Sequence, residues 1–565
     1  MTPKRASLLV LLPLLIVYGS YGQIEDAYRY NIHKKIEATH AVVVSAHPLA
    51  SRAGLSVMKH GGNAIDGAIA TQLALAVVYP GAGNLGGGGF MVAHLANGRN
   101  LALDYREKAP AKASRDMYLD RNGNPQMQLS QEGHLASGVP GTIAGIFAQL
   151  KYARLPLSNL IQPAIELASK GFAITASQAA SLNSLKEKFL KLNRFPTAFV
   201  KASPWREGDT LVQKDLAGTL RRIRDQGQKG FYEGPTARMI AEEMKKGGGI
   251  ISLDDLKNYV AKERVITEFE YRGYRVLTMP LPSSGGIVLQ QLLKMVEERT
   301  ADSLTFHSPE SVQLITELER RAYADRAEYL GDPDFVKVPV KTLVSETYLR
   351  DRMKDFVPGK AGNSNDTKAG SIKESEETTH FSVIDELGNA VSITTTLNDS
   401  YGSKTVVKGA GFLLNDEMDD FSVKPGVPNL YGAVGNDKNA IAPGKRMLSS
   451  MTPTILLKNG RPFLVVGSPG GTTIPTSVFQ TILNILDFKM SAEDAVSAPK
   501  FHHQWLPDQI DIEKGFLTST ISNLEKMGYK VHVRGSIGRT DIIAVTNGKF
   551  TGVGDPRGDD DAEGY

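Results

Sequence analysis

Apolar residues recur along the chain at two different spacings, which separate a helix-rich part from a strand-rich part. Helical spacing covers residues 50–79 and dominates from about 140 to 350, so we predict helices there. Residues 357–377 are polar and lack periodicity, which predicts a loop or a disordered segment. Beyond residue 378 the apolar runs become short and alternate, which predicts strands.

Two of these short runs predict a hairpin. Phe381 and Val383 mark the first strand, Val391 and Ile393 mark the second, and Gly388 lies in the loop between them. A three-residue loop with glycine at its left-handed position places Asp385 opposite Asn389. Counting outward, Thr378 then faces Thr396, although a bulge could shift this register by one residue.

A glycine-rich stretch, residues 81–89, matches the dinucleotide-binding pattern G-x-G-x-x-G. That pattern should follow a strand and open a helix. Here a predicted helix precedes it, and Phe90 to His94 reads as a strand. We therefore interpret the stretch as a tight corner that feeds a central strand, where bare backbone permits close packing.

Composition narrows the class of protein. The chain has 565 residues, 41% of them hydrophobic and 22% charged, which is typical of a globular protein. The net charge is +4, and no basic run favours nucleic-acid binding. The absence of cysteine excludes disulfides and thiolate catalysis. His502 and His503 have no matching ligand cluster, so we expect them to be structural and predict neither a metal site nor a cofactor.

The first 22 residues are typical of a secretory signal. Lys4 and Arg5 precede an apolar run from Leu8 to Val17, and small residues follow at Ser20 and Gly22. Ten apolar residues are too few to cross a bilayer. We therefore predict an exported protein, periplasmic or secreted, without a membrane span after signal removal.

Thr378 is the first candidate for chemistry. If the peptide bond before it were cut, the new N-terminal Thr would carry a hydroxyl and an α-amino group with a pKa of about 7.7–8.0. That amine could accept the proton of its own hydroxyl. Thr396, in the predicted register, would place a second hydroxyl beside the first. The alternative is that these threonines only open a strand and form a stabilising cross-strand pair.

A second candidate follows the strand-like run from Phe463 to Val466. Gly470 and Gly471 lie where that strand turns into a predicted helix, and two unhindered N–H groups there could form an oxyanion hole. A plain glycine turn is the alternative. The chain has neither a G-x-S-x-G elbow nor an H-E-x-x-H zinc helix.

Charged candidates occur in two separate places. Arg106 follows a strand-like run, where most arginines are solvated or paired with a neighbour such as Glu107. Residues 415–421 are rich in acids and could be a turn, a cation site or a solvated surface. Their spacing does not match the twelve-residue calcium loop.

Five separated motifs together resemble the bacterial γ-glutamyltranspeptidases. The motifs are Thr378 to Val383, Asp104 to Glu107, Asn415 to Phe421, Ser449-Ser450, and Gly467 to Gly471, and they occur in order over nearly the whole mature chain. The resemblance implies an α+β fold of the N-terminal-nucleophile hydrolase type, a four-layer αββα sandwich. It also implies that the precursor cuts itself between Glu377 and Thr378 into a large subunit, residues 23–377, and a small catalytic subunit, residues 378–565.

The resemblance also implies roles for particular residues. Thr378 would be the nucleophile, Thr396 its hydroxyl partner, and Gly470 and Gly471 the oxyanion hole. Further residues would bind substrate: Arg106 and Ser449 the α-carboxylate, with Ser450 nearby; Asn398, Glu417 and Asp420 the α-ammonium; and Tyr431 as part of a loop that covers the pocket.

The implied activity is transfer of the γ-glutamyl group of glutathione and related amides to water, amino acids or dipeptides, with no cofactor. Two alternatives remain at this level. A related acylase, such as one that removes a glutaryl side chain from a β-lactam, would share the fold and the self-cleavage. An exported amino-acid-binding protein would have no chemistry at all.

Overall fold

Two seven-stranded antiparallel sheets lie face to face in the computed structural model, which describes residues 26–299, 304–367, 378–424 and 436–565. In chain order the strands are β1 Lys35–Ala38, β2 Ala41–Ser45, β3 Gly88–His94, β4 Asn100–Asp104, β5 Phe172–Ala173, β6 Thr210–Leu211, β7 Lys262–Arg264, β8 Thr267–Tyr271, β9 Tyr274–Thr278, β10 Thr379–Asp385, β11 Ala390–Thr396, β12 Thr454–Lys458, β13 Arg461–Gly467, β14 Phe501–His502, β15 Ile510–Glu513, β16 Val531–Arg534, β17 Asp541–Thr546, β18 Lys549–Val553 and β19 Asp561–Gly564. The first sheet has the order β1-β18-β17-β13-β12-β9-β8, and the second has the order β19-β2-β10-β11-β3-β4-β7.

Helices cover the outer face of each sheet. In chain order they are α1 Pro48–Lys59, α2 Ala64–Val78, α3 Gln128–Gln131, α4 Thr142–Gln149, α5 Leu157–Lys170, α6 Ala176–Ser184, α7 Lys186–Leu192, α8 Lys214–Gln226, α9 Lys229–Tyr232, α10 Gly234–Gly247, α11 Leu253–Lys257, α12 Gly285–Arg299, α13 Pro309–Tyr329, α14 Val340–Leu343, α15 Glu346–Arg352, α16 Thr473–Leu486, α17 Ala492–Ser497 and α18 Thr518–Lys526. Helices α1 and α2 pack on the second sheet, and α12 and α16 pack on the first.

Side chains of the second sheet alternate between two apolar cores. Val43 of β2 packs with helices α1 and α2, whereas Val42 and Val44 face strands of the first sheet. This alternation follows from the two-residue period of a strand. A sheet buried on both faces needs apolar residues throughout, and every residue of β2 is buried. The predicted αββα sandwich is therefore confirmed.

The predicted hairpin register is confirmed. Strands β10 and β11 pair so that Thr379 lies opposite Thr395 and Ile384 lies opposite Ala390. Gly388 has a φ of 91°, the left-handed conformation that the three-residue loop requires. Thr378 and Thr396 therefore lie at the same end of the two central strands of the second sheet.

The glycine-rich corner has the predicted structural role. It leads from α2 into β3, which pairs with β11 at the centre of the second sheet. A Cβ atom on Gly87 would lie 2.1 Å from the carbonyl oxygen of Thr396, and one on Gly88 would lie 2.6 Å from a carboxylate oxygen of Glu107. Glycine is needed here because this backbone packs directly against the strand end that carries Thr396.

Strands β7, β8 and β9 depart from the prediction that helices dominate residues 140–350. β8 and β9 form a hairpin at one edge of the first sheet, and β7 lies at one edge of the second. The burial of β8 changes along the strand, with Glu268 and Glu270 exposed and Phe269 and Tyr271 buried, which is the strand period and not the helical one. Such a short run is easily overlooked between two long helical patterns.

Within the described ranges, no helix combines the length and the apolar character that a membrane span needs. The predicted signal, residues 1–22, lies outside those ranges.

Candidate active site

The hairpin β10–β11 brings the two predicted catalytic threonines to the end of the second sheet. Thr378 immediately precedes β10 and is 6% exposed, and Thr396 is the last residue of β11. The hydroxyl of Thr396 accepts a hydrogen bond from the N–H of Asn398 at 2.8 Å. A hydrogen bond between the two threonine hydroxyls stays a prediction. Glu377, on the other side of the predicted cut, lies outside the described residues.

A small pocket beside Thr378 collects most of the residues predicted from separate motifs. Its lining comprises Arg106, Thr378, Thr396, Asn398, Glu417, Asp420, Ser449, Ser450, Met451, Gly471 and Ile474. These residues come from five segments that are far apart in sequence. Met451 and Ile474 are the two members that were not predicted.

Arg106 and the acidic residues predicted to bind the other end of the substrate pair with one another. The distance from Arg106 Nη1 to Glu417 Oε2 is 2.5 Å, and Arg106 Nη2 also pairs with Asp420. Glu107 lies further away, at 3.5 Å from Arg106 Nη1. The side chains of Arg106, Glu107 and Glu417 are each no more than 1% exposed, so these charges are almost fully removed from water.

The single positive charge of Arg106 cannot neutralise the carboxylates of Glu107, Glu417 and Asp420 together. Burial raises the pKa of Glu417 to about 8, and the attraction of Arg106 only partly opposes this shift. Burial raises the pKa of Glu107 to about 8 in the same way. Burial alone would lower the pKa of Arg106, but Glu417 and Asp420 outweigh it and hold that pKa above its ordinary value. The pocket thus has more carboxyl groups than cations, and a bound cation would favour their ionised forms.

Asn398 and the two serines are each held by a hydrogen bond to a neighbouring residue. Asn398 has a φ of 82°, unusual for a residue other than glycine, and its side-chain amide donates to the carbonyl oxygen of Asp416 at 3.0 Å. The hydroxyl of Ser449 accepts from the N–H of Met451 at 3.2 Å, and the hydroxyl of Ser450 accepts from Arg326 at 2.9 Å. Each side chain therefore keeps its position in the pocket wall.

The glycine pair lies between the end of β13 and the start of α16. Gly470 has a φ of 130° and Gly471 a φ of 53°, both in the region that favours glycine. Their carbonyl oxygens accept hydrogen bonds from the N–H groups of Thr473 and Ile474. Neither glycine N–H donates to another described residue. Both N–H groups thus have no acceptor among the described residues, and their role as the oxyanion hole stays a prediction.

Potential metal ligands do not coincide with this site. In the described parts of the chain, His33, Asp561 and Glu563 form one group that could hold a metal ion, but Glu563 already pairs with Arg52 at 2.9 Å. None of these residues lines the pocket beside Thr378. His502 is buried and bonded through both ring nitrogens, to Thr476 and Gln504, in keeping with a structural role.

Some of the site could not be obtained from the sequence, and some lies outside the described residues. Tyr431, with the predicted covering loop around it, lies outside the described residues. Glu107 had been considered only as a neighbour of Arg106, yet it is a third carboxyl in the same buried cluster. The sequence signals for it are its position directly after Arg106 and its place at the end of the motif Asp104 to Glu107.

Comparison with known proteins gives a consistent result. The family profile described as gamma-glutamyltranspeptidase matches residues 50–565. The glutathione hydrolase proenzyme of Escherichia coli (strain K12) is 46% identical over 548 residues, which cover 96% of this chain and 94% of that protein. The acylase ACY 1 proenzyme of Pseudomonas sp. (strain V22) is 34% identical over 510 residues, 88% of each protein.

Among solved structures, the cephalosporin acylase from Bacillus halodurans superposes with a TM-score of 0.84 at 26% identity, covering 99% of both chains. The fold is therefore shared with acylases as well as with glutathione hydrolases. The family profile and the 46% identical relative each match most of the length of this chain. The chain belongs to the gamma-glutamyltranspeptidase family.

Proposed function

We propose that this protein is a self-processing γ-glutamyltranspeptidase and glutathione hydrolase. The observation that carries the proposal is the position of Arg106, Glu417 and Asp420 in one pocket with Thr378. A γ-glutamyl group ends in an α-carboxylate and an α-ammonium, which require a cation and carboxylates respectively. Relatives named glutathione hydrolase proenzymes are in keeping with this substrate class.

In the proposed reaction, the hydroxyl oxygen of Thr378 attacks the γ-carbonyl carbon of the substrate. The α-amine of Thr378, freed by self-cleavage, accepts the hydroxyl proton. The N–H groups of Gly470 and Gly471 bind the oxygen that becomes negatively charged. The carbon–nitrogen bond then breaks, the leaving amine takes the proton, and the glutamyl group remains as an ester on Thr378.

The ester is then transferred to water or to the amine of an amino acid or dipeptide. The attacking molecule loses a proton to the Thr378 amine. The bond between the carbonyl carbon and the Thr378 oxygen then breaks, and that oxygen takes the proton from the amine, which restores the hydroxyl. Thr396 supports the nucleophile through its hydroxyl, which also accepts from the N–H of Asn398. Every step uses groups of this chain and requires no metal or cofactor.

We further propose that the precursor is exported and cleaved before Thr378 into subunits of residues 23–377 and 378–565 that stay together. The signal-like residues 1–22 support export to the periplasm or the medium. The strands of both proposed subunits alternate within the second sheet, where β10 and β11 lie between β2 and β3. Such a shared sheet would hold the two parts together after the cut.

Tyr431 enters the proposal as part of a lid over the pocket. A loop rich in Gly and Pro around Tyr431 suits a defined but movable cover that limits access of water to the ester. Replacement of Tyr431 by Ala should then change the ratio of hydrolysis to transfer.

The proposed function is tested by the release of the aniline from a γ-glutamyl anilide, with and without a dipeptide acceptor. A γ-glutamyltranspeptidase releases the aniline in both cases and does so faster with the acceptor. An acylase specific for glutaryl groups would prefer the glutaryl anilide. A protein that only binds amino acids would release no aniline from either anilide, and it would remain a single band on a denaturing gel.

A further inference from the structure

Arg326, on helix α13, contacts the pocket wall that carries Ser449 and Ser450. Its Nη2 donates to the hydroxyl of Ser450 at 2.9 Å, and its Nε donates to the hydroxyl of Ser284 at 2.8 Å. The side chains of Arg326, Ser284 and Ser450 are all buried. Arg326 itself does not line the pocket, so its contact with the pocket runs through Ser450.

Ser284 connects Arg326 to the other pocket serine. The N–H and the hydroxyl of Ser284 both donate to the carbonyl oxygen of Ser449, at 2.7 and 2.6 Å. The N–H of Ser449 in turn donates to the carbonyl oxygen of Pro282 at 3.0 Å. The segment that leads into α12 therefore holds the backbone of Ser449 at its N–H and at its carbonyl group. Arg326 fixes the Ser284 hydroxyl that takes part in this contact.

The donor chemistry of arginine determines how these hydroxyls are oriented. A guanidinium group offers N–H donors and no acceptor, so the hydroxyl of Ser450 accepts from Arg326 and directs its own hydrogen to another group. The hydroxyl of Ser449 is in the same state, because it accepts from the N–H of Met451 at 3.2 Å. Two hydroxyls that accept from the protein and donate elsewhere suit a carboxylate, which has only acceptors.

We infer that Arg326 is a positioning residue for the α-carboxylate of the substrate, an inference that rests on the proposed function. It holds the hydroxyl of Ser450 as a donor and, through Ser284, holds the backbone of Ser449. This role differs from that of Arg106, which lines the pocket and would bind the carboxylate directly. Loss of Arg326 should therefore weaken substrate binding more than the chemical step.

The first variant is Arg326→Met, which keeps an unbranched side chain and removes both donors. We expect it to raise KM for the γ-glutamyl anilide by about tenfold and to leave kcat within about threefold of the wild-type value. Arg222→Met is the matched control. Arg222 also donates to two hydroxyls, those of Thr236 and Thr219 at 2.9 and 2.7 Å, but it lies on α8 and does not line the pocket. Its KM should equal that of the wild type.

A double-mutant cycle shows whether Arg326 acts through Ser450. Ser450→Ala removes the hydroxyl that Arg326 orients, so adding Arg326→Met to that variant should raise KM by less than about threefold further. If the two changes act independently, their effects on KM multiply. A further tenfold rise in KM would thus overturn the inference.

A substrate without the α-carboxylate separates positioning from general loosening of the fold. The 4-aminobutyryl anilide keeps the ammonium group and the amide to be cleaved, but it has no carboxylate for the serines to bind. Arg326→Met should lower kcat/KM about tenfold for the γ-glutamyl anilide and less than about threefold for the 4-aminobutyryl anilide. Equal losses on the two substrates would contradict a role in carboxylate binding.

Arg326→Lys provides the same comparison if Arg326→Met fails to fold or to self-cleave. A single ammonium group cannot replace two N–H donors that contact different hydroxyls. A wild-type KM in whichever variant folds would overturn the inference. If the wild-type protein cleaves no γ-glutamyl anilide, the proposed function itself is wrong and the inference falls with it.

Discussion

Arg106 Nη1 lies 2.5 Å from Glu417 Oε2, although the two side chains are predicted to bind opposite ends of the substrate. Both are buried, so each compensates the charge of the other. A zwitterionic head group can replace this pair with two new ones, carboxylate to guanidinium and ammonium to carboxylate. A ligand with only a carboxylate would occupy Arg106 and leave the acids without a cation.

This relationship predicts strong discrimination between γ-glutamyl and glutaryl substrates. A glutaryl anilide has the carboxylate but lacks the ammonium, so binding would leave Glu417 and Asp420 buried with no positive partner. We expect kcat/KM for the glutaryl anilide to be lower by up to about 10⁴-fold. Both substrates should be assayed with the same matured enzyme. Equal kcat/KM values would contradict zwitterion recognition and favour the acylase alternative.

Replacement of Arg106 by Lys is expected to impair the enzyme even though the charge is kept. Lysine cannot reproduce the planar fork that contacts Glu417 and Asp420 together. We expect a loss of about 100-fold in kcat/KM for the γ-glutamyl anilide. Self-cleavage should survive, since Arg106 contacts the proposed substrate and not the bond to be cut.

The matched control is Arg99→Lys. Arg99 is half-exposed and pairs with Glu263 on the surface, where such a pair contributes little. Its kcat/KM should equal that of the wild type. A wild-type value for Arg106→Lys as well would show that a point charge at residue 106 is sufficient.

The sequence allowed the central hairpin and the glycine corner to be predicted because both depend on local rules. The loop with Gly388 determines the register, and that register places Thr378 and Thr396 together. The position of Glu107 could not be predicted in this way. Whether a carboxyl next to an arginine is solvated or buried depends on the packing of β3, whose Gly88 lies against it.

A cavity of about 240 Å³ that Thr378 and Gly470 border could not be predicted from the sequence either. Its lining combines Ser177 of α6 with Arg539, which lies much later in the sequence, and no motif connects the two residues. The charged pocket, in contrast, is built from motifs whose residue types already indicated a cation and carboxylates. Recognition of separate motifs thus identified the residues, and the fold was needed to show which of them share a space.

Replacement of Gly470 by Ala is expected to reduce kcat more than binding. A Cβ atom there would lie 2.4 Å from the hydroxyl of Thr473, at a φ of 130° that alanine rarely adopts. The loop would have to shift, and one donor of the proposed oxyanion hole would move. Losing one such donor lowers kcat by about 100- to 1,000-fold. The measurement is steady-state kinetics on the γ-glutamyl anilide.

Gly548→Ala is the control for backbone strain alone. Gly548 has a φ of 77° in a turn with open space around its Cβ position and does not line the pocket. Its kcat should remain within about twofold of the wild-type value, with at most a small loss of stability. A similar fall in kcat for both variants would show that the effect at Gly470 is not specific to the oxyanion hole.

Self-cleavage is expected to depend on Thr378. Purified precursor incubated alone should give two chains, and the smaller should begin with Thr378 in N-terminal sequencing. Thr378→Ala has no hydroxyl to attack the preceding carbonyl and should stay whole, whereas Thr378→Ser keeps the hydroxyl and should be cut. A smaller chain that begins at any other residue would refute the assignment of both the cut and the nucleophile.

The raised pKa of Glu417 predicts how substrate affinity changes with pH. At pH 6 a carboxyl with a pKa of about 8 is almost entirely protonated and cannot pair with an ammonium group. As the pH rises towards 8, the carboxylate forms and the substrate ammonium gains its partner. The ionised fraction rises from about 1% to about 50%, so KM for the γ-glutamyl anilide should be about 50-fold lower at pH 8 than at pH 6.

Two comparisons separate this effect from other ionisations. The glutaryl anilide has no ammonium, so ionisation of Glu417 should not improve its binding and should oppose its carboxylate. Glu417→Gln cannot ionise, and its KM for the γ-glutamyl anilide should be high and nearly constant over the same range. If that variant keeps the wild-type fall in KM from pH 6 to pH 8, another group causes it. Glu107, whose pKa burial also raises to about 8, would then be the next candidate. The α-amine of Thr378 has an ordinary pKa near the same range, but it should change kcat rather than KM.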